Sequence, residues 1–366
     1  MRFSVVREAL VKPLQQVVGV LEKRGTMPVL ANVLIQVRNG SVALTATDLE
    51  VELQGSLRSP VFEDGEITVP GRKFFDIVRA LPDGVQIDFK TIGEKVTLLA
   101  GRSKYSLATL PATEFPPVDM GDVQFSRKIS AEGLKELLDR TAFAMALQDV
   151  RYYLNGLLLE LRGDNLRAVA TDGHRLALCD SSEFAGATAD RQVIVPRKAV
   201  LELSRLLAGS EQEVELEFSR NHLRIHVGDA TLTSKLIDGR FPDYDAVIPI
   251  GADRTALLNK AEFKAALLRA AILSNEKYRG VRVELSPGLL RLVASNPEQD
   301  EAVEELGALT EVNNLSLGFN VNYLSDAVNA LDGEEVLLCL RDSGSSGLLH
   351  GKDSTRVRHV VMPLRL

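Results

Sequence analysis

Two histidines four residues apart, His222 and His226, are the first side chains whose spacing suggests chemistry. On a helix that step would put both imidazoles on one face and invite a metal. Here the run Asn221-His-Leu-Arg-Ile-His-Val227 alternates, so it reads as a strand on which the two share a face with no third ligand beside them. His174 stands near Asp172 in Thr171-Asp-Gly-His-Arg-Leu176, a pairing that could orient a general base. No nucleophile travels with it, and Asp-Gly is turn chemistry. Gly344-Ser-Ser-Gly347 lacks the spacing and strand–helix setting of a nucleophile elbow. Neither a phosphate-binding Walker loop nor a dinucleotide fingerprint occurs. Cys179 and Cys339 each lie in an apolar run and are expected to be buried, inert thiols in a reducing cytosol. The expectation is therefore no catalytic set, no metal and no cofactor. A hydrolase or small-ligand protein and a non-catalytic scaffold are the competing readings.

What does stand out is a pair of cations at a fixed place in a repeated unit. Arg197-Lys198 follows Val193-Ile-Val-Pro196 and opens an apolar stretch at helical spacing up to Leu207. Arg72-Lys73 holds the same place in Ile67-Thr-Val-Pro-Gly-Arg-Lys-Phe-Phe. Proline suits a helix start, where its missing N–H has no intrahelical partner. A third version, Leu317-Gly-Phe-Asn-Val-Asn-Tyr-Leu, keeps the strand and helix but loses the proline and the cations. Other landmarks recur at the same interval of about 125 residues. Thr47-Asp48 is echoed by Thr171-Asp172 and, more loosely, by Ser295-Asn296; Phe115-Pro116 is echoed by Phe241-Pro242. Several landmarks moving together indicate three copies of one domain-sized unit.

The elements within each copy follow the same order. The first, 1–120, begins with a strand and a helix from Arg7 to about Leu21. Strands follow at 33–37 and 41–45, joined by Asn39-Gly40, a pair suited to a tight hairpin. After 51–55 comes the strand–helix unit, then three more strands. The second copy, 127–245, has a helix from about Ala131 to Met145, with Ser130 as its cap, and strands at 157–161, 166–170, 213–218, 222–227 and 230–237. The third, 253–366, runs from a helix over 260–273 to a last strand at 358–361. The class is α+β, two helices covering antiparallel sheet in each domain. Short proline-bearing links should hold the domains in a fixed arc. The start has no signal-peptide pattern and no apolar run approaches 18 residues, so a cytoplasmic location is expected.

Net charge is -7 over 366 residues, which by itself disfavours nucleic acid. Its distribution says otherwise. Taken over 7–24, 72–81, 132–151, 197–207, 260–282 and 319–331, the expected helices carry +8, which leaves -15 elsewhere. A surface built from those helices would attract phosphate, and the remainder would repel it.

Four segments, Gln148-Asp-Val-Arg-Tyr-Tyr-Leu-Asn-Gly156, Thr171-Asp-Gly-His-Arg-Leu176, Asp238-Gly-Arg-Phe-Pro-Asp-Tyr244 and Ile272-Leu-Ser-Asn-Glu-Lys-Tyr-Arg-Gly280, together with the terminal Met362-Pro-Leu-Arg-Leu366, carry a resemblance. The whole chain resembles the bacterial sliding clamps, the beta subunits of DNA polymerase III. The resemblance implies a head-to-tail homodimeric ring around duplex DNA, helices inward and sheets outward, which tethers the polymerase without reading bases. It implies DNA contacts at Arg24, Gln148, Tyr152 and Tyr153, beside the helix cations Arg72, Lys73, Arg197 and Lys198.

It also implies a hydrophobic cleft that receives peptides of polymerase, clamp-loader and other partner proteins. Matching positions are Leu154, Thr171, Gly173, His174, Arg175, Leu176, Pro242 and Val247, with Val360, Val361, Met362, Pro363, Leu364, Arg365 and Leu366 from the C-terminus. Ala246 and Leu364 depart from the family's pattern, a base and a methionine, and put peptide preference in doubt. Ring closure would join the basic run at Arg102, Lys104 and Leu107 to the acidic run at Glu298, Glu301 and Glu304 of the next protomer, with Ile272 and Leu273 supplying apolar contact.

Overall fold

In a computed structural model of the protein, the structure describes residues 1–22, 27–181 and 190–365. Arg24 and Leu366, both named above, lie outside the described residues. The chain divides into two compact units. One comprises Met1–Leu134 and Lys198–Leu236, the other Lys135–Arg197 and Ile237–Leu366. Compactness thus follows the sheets and not the sequence repeats.

The first unit holds two antiparallel sheets. A five-stranded sheet runs in the order Val61–Glu63, Arg2–Val6, Gln86–Ile92, Lys95–Ala100, Ser103–Ala108. An eight-stranded sheet takes Phe125–Ser130, Glu213–Phe218, His222–Val227 and Ala230–Lys235 from the middle of the sequence. Continuing from these it takes Val51–Arg58, Ser41–Thr47, Asn32–Arg38 and Gly65–Pro70 from the beginning. The join is a regular ladder, Leu232 opposite Leu53 and Thr233 opposite Glu52. Helices α1 (Arg7–Val17) and α2 (Gly71–Ala80) bury Leu10, Leu14 and Val17, and Phe74 and Val78, at three- and four-residue steps. Phe3 stacks on Phe89 at 4.7 Å and Phe74 meets Phe89 at 6.0 Å beneath them. A Cβ at Gly71 would stand 2.4 Å from a Leu21 methyl and 2.8 Å from a Val33 methyl, so both side chains would have to shift to admit one.

The second unit repeats the arrangement. Its eight-stranded sheet runs Arg191–Pro196, Gly156–Arg162, Asn165–Thr171, Arg175–Ser181, Ser354–Val361, Gly347–Gly351, Glu335–Leu340, Arg254–Asn259. A four-stranded sheet runs Glu301–Gly307, Leu289–Ser295, Gly280–Ser286, Leu315–Asn320. Helices α5 (Lys260–Ile272) and α6 (Val321–Ala330) bury Phe263 and Leu267, and Leu324 and Val328. Asn259 and Asn320 cap them, each side-chain oxygen accepting from the first-turn amides. The boundary between the units falls within α3 (Ala131–Asp139), which Ser130 caps as expected. Helix α4 (Arg197–Leu207) completes the set.

The expected strands are present, and Asn39 and Gly40 take φ of 50° and 77°, as a tight hairpin demands. Three helix ends need correction. Helix α1 stops at Val17 and not near Leu21, and α5 stops at Ile272. Helix α3 stops at Asp139 and not at Met145: the Arg140 N–H still bonds Glu136, but the Thr141 N–H turns to the Leu138 carbonyl and Ala142–Ala144 is a separate 3-10 turn. The charge balance shrinks accordingly. Residues 277, 279 and 282 leave the helical count, and the six observed helices carry +1, +2, -2, +2, +2 and -1, a net of +4 against -11 elsewhere. The sign of the segregation survives at half its expected size.

Candidate functional site

The repeated Thr-Asp landmark is a structural device. In both turns the threonine hydroxyl donates to the carbonyl four residues on, Val51 at 3.1 Å and Arg175 at 2.7 Å. One aspartate oxygen accepts the amides two and three residues on, 2.9 and 2.7 Å at Asp48, 2.9 and 3.1 Å at Asp172. The other oxygen is left to bind a cation. Asp48 takes Lys198, and Asp172 takes Arg175 Nε at 3.1 Å. His174 is therefore a turn residue and not half of an acid–base pair. His222 and His226 do share a strand face, where His226 lies beside Thr231 and Glu217. Among the described residues no three His, Cys, Asp or Glu side chains are grouped to hold a metal. Cys179 and Cys339 are buried, and burial pushes their thiols up to about 12 and about 11.

The cleft residues gather in the second unit around an apolar cluster of Leu158, Val169, Leu176, Leu178, Ile194, Phe241, Tyr244 and Val360. Val247 and Tyr153 pack at its side, and Leu154 is buried nearby. Val361 pairs with Arg175 in the sheet. Met362 donates its N–H to the His174 carbonyl at 2.9 Å, which ties the C-terminal segment to the Thr171–Leu176 turn. Met362 Sδ also accepts from Ser346 at 3.1 Å.

Arg175 is a hub and not a loose cation. It sits between the rings of Phe143 and Tyr323 (5.3 and 4.5 Å), and bonds Asp172, Asp326 and the Phe143 carbonyl. His174 lies flat over Tyr323 at 6.5 Å. Beneath the cluster Tyr244 donates to Glu160 and accepts from Arg167 at 3.2 Å. Glu160 is only 3% exposed, and Gln192 and Arg162 complete its shell. Burial pushes the Tyr244 phenol up to about 12, so it stays a donor. Pro242 is exposed at the rim. Leu364 and Arg365 depart from the expected grouping: they line a separate cavity described below.

The structure also supplies cleft residues that the sequence reading passed over. Phe241 belongs to the recurring Phe-Pro landmark and Tyr244 to the Asp238–Tyr244 segment, but neither is among the expected cleft positions. Tyr323 and Ser346 are brought in only by the fold.

The loop between Leu147 and Tyr153 is exposed and closed on itself by hydrogen bonds. Asp149 accepts Arg151 N at 2.8 Å and Arg151 Nη2 at 2.9 Å, and this pairing holds its carboxyl down at about 2. Asn155 bonds the Asp149 amide and carbonyl, both at 2.8 Å. The strain of Gln148, at φ 55°, is thereby maintained. Leu147, Val150 and Tyr152 stand 75%, 95% and 57% exposed, and Tyr152 meets Tyr153 edge-on at 5.7 Å. Arg151 Nη2 also reaches the Asp172 carbonyl at 3.4 Å, so this loop touches the cleft turn.

The helix cations divide into two kinds. Arg72 and Lys73 are exposed on the first turn of α2. Lys198 pairs with Asp48 and bonds the Val20 carbonyl at 3.0 Å, and Arg197 bonds the Met145 carbonyl at 3.2 Å. These two secure the start of α4 and are only partly available to phosphate.

Both expected ring edges are outer strands. Ser103–Ala108 is the last strand of the five-stranded sheet, with Arg102 and Lys104 exposed and Leu107 turned into the core at 8% exposure. Glu301–Gly307 is the last strand of the four-stranded sheet, with Glu298 and Glu301 exposed. Glu304 is already held by Arg269 within its own chain, at 2.9 and 2.5 Å, which lowers its pKa. Ile272 is 76% exposed and Leu273 half-buried.

Three family models match end to end. DNA polymerase III beta subunit N-terminal, central and C-terminal domains cover 1–119, 128–243 and 245–365. A beta sliding clamp of Pseudomonas aeruginosa is 50% identical over 367 residues, covering 100% of both chains. One from Escherichia coli K12 is 47% identical over 368 residues, again 100% of both. Among solved structures, the Pseudomonas aeruginosa DNA polymerase III subunit beta superposes with a TM-score of 0.97 at 50% identity over 100% of both chains. The same organism's clamp bound to griselimycin also gives 0.97.

Proposed function

The chain belongs to the DNA polymerase III beta subunit family, the bacterial beta sliding clamps, and we propose from this how its own residues serve a clamp. It is a processivity factor and not itself a catalyst. Two protomers form a ring around duplex DNA, and the ring tethers the polymerase. The three domains occupy 1–120, 127–245 and 253–366. The work is done in the cytoplasm.

DNA is held by topology and a diffuse positive field, with phosphate contact but no base readout. Arg72 and Lys73 are exposed and free to supply that field; Lys198 and Arg197 supply less, because they are committed to their own fold. Gln148 and Tyr152, presented by that hydrogen-bonded loop, are the contacts for a tilted duplex. Partner peptides lie along the half-buried Val247 and Met362, over a buried apolar floor that includes Leu176 and Val360. Affinity there comes from apolar burial, and the Met362 thioether adapts to different occupants. Ring closure pairs the basic outer strand at 103–108 with the acidic one at 301–307.

The observation that carries the reading is likeness along the full length to clamps, together with two free sheet edges of opposite charge. The test is primer extension on a long primed single strand by polymerase III core and clamp loader. Products should reach kilobases only when this protein is added. Unchanged product length would refute the function.

A further inference from the structure

The open face of the four-stranded sheet carries a second concavity, of about 450 Å³. Gly280 and Arg282 of one strand and Val293 and Ser295 of the next build its sheet side. Arg282 lies opposite Gly318 on one side and Val293 on the other, and Val293 faces Val303, which is 42% exposed. This row is aliphatic with a single cation. The next row toward Glu284 is charge-balanced, Arg291 lying 3.4 Å from Glu284 and 3.8 Å from Glu305. Arg282 reaches Glu284 only at 3.9 Å and its side chain remains 50% exposed.

Tyr278 forms the far wall. Its turn is fixed by Asn275 Oδ1, which accepts the Lys277 and Tyr278 amides at 2.9 and 3.1 Å. The near wall is the C-terminal segment, drawn to the sheet where Leu364 donates its N–H to the Gly318 carbonyl at 2.7 Å. Leu364 and the exposed Arg365 therefore line the cavity, while Met362, two residues earlier, is tied to the cleft turn at the His174 carbonyl. Two residues of extended chain span about 7 Å. A peptide leaving the cleft past Met362 comes within that distance of this cavity.

We propose that the cavity takes the acidic flank of the partner peptides whose apolar part fills the cleft. The proposal rests on the cleft reading above. Val293 on the sheet, Leu364 on the near wall, Tyr278 on the far wall and the guanidinium groups of Arg282 and Arg365 suit a short segment bearing carboxylates. Arginine offers a forked donor pair that matches a carboxylate. The concavity is also basic in a chain whose net charge is -7, so it marks one place where an acidic segment is attracted.

The probe is a fluorescein-labelled peptide chosen for binding that griselimycin displaces. It is made bare, with Asp-Asp at either end, and with Lys-Lys at either end. Anisotropy titrations of the full dimer should show one Asp-Asp form binding about three- to tenfold tighter than the bare form, the gain shrinking with salt. Arg282→Glu should abolish that gain and leave the bare peptide's affinity unchanged; Tyr278→Ala should reduce it. An Asp-Asp gain that persists in Arg282→Glu, or no gain in the wild type, overturns the proposal. So does a fluorescein-labelled dT12 whose binding, and not the peptide's, is lost with Arg282→Glu. If griselimycin fails to displace any peptide, the cleft reading itself falls, and this proposal with it.

Discussion

Replacing Ile272 and Leu273 together by alanine should convert the ring to monomers. Ile272 stands 76% exposed at the end of α5 and Leu273 is half-buried, while the buried face of that helix is Phe263, Ala266, Leu267 and Ala270. The substitutions therefore spare the core, and the protomer should fold with little change in Tm. In the ring they remove apolar surface from a closed contact. Ile272→Ala deletes about three methylene equivalents at about 0.8 kcal/mol each, or about 2 kcal/mol. The partly covered Leu273 adds about 1 kcal/mol. A ring of two protomers has two such contacts, so the loss is about 6 kcal/mol, roughly four decades in dimer Kd. Sedimentation velocity across nanomolar to micromolar concentrations reads this directly. A dimer with unchanged Kd would refute the placement of the interface at the end of α5.

Other predictions follow from single sites. Burial pushes the Glu52 carboxyl up to about 7, with Arg224 pulling weakly the other way. The folded chain then keeps a proton that the unfolded chain releases, so the site's stability is present below about pH 4.5 and lost as pH rises through about 7. Glu52→Gln should raise stability by about 1–3 kcal/mol at pH 8 and change little at pH 5; equal thermal shifts at both pH values would contradict the assignment. Tyr244→Phe removes a donor from Glu160 and should cost about 1–3 kcal/mol by denaturant unfolding, against no change if Glu160 were satisfied without it. Truncation before Met362 should abolish peptide binding by anisotropy and leave the dimer intact. Retained affinity would place the peptide elsewhere.

Much of the fold was legible because period and turn chemistry are local. The Asn39-Gly40 hairpin, the alternation at 213–218 and 222–227, and the Ser130 cap all depend on residues a few positions apart. The repeat was legible because it is covalent order. What escaped was set by distant partners. Arg140, just past the end of α3, gives its side chain to the Ala330 carbonyl, nearly two hundred residues away. Lys198 resembles Lys73 in sequence, but Asp48 claims it. Glu304 belongs to an acidic run, but Arg269 of the same chain claims it. Charge counting assigns such groups to solvent, and only the fold shows which are spent. The cleft is placed by resemblance; of its aromatic floor only Phe241 belongs to a recurring landmark, since Val118 stands where Tyr244 does, and the sheet brings both against Leu176 and Val360.

Encirclement itself is tested by loading the protein onto nicked circular plasmid with clamp loader and ATP, removing free protein by gel filtration, and cutting the plasmid once. The protein should remain with the circle in high salt and leave within minutes of linearisation. Protein that stays on the linear product, or that salt strips from the circle, would show a groove binder and contradict the ring.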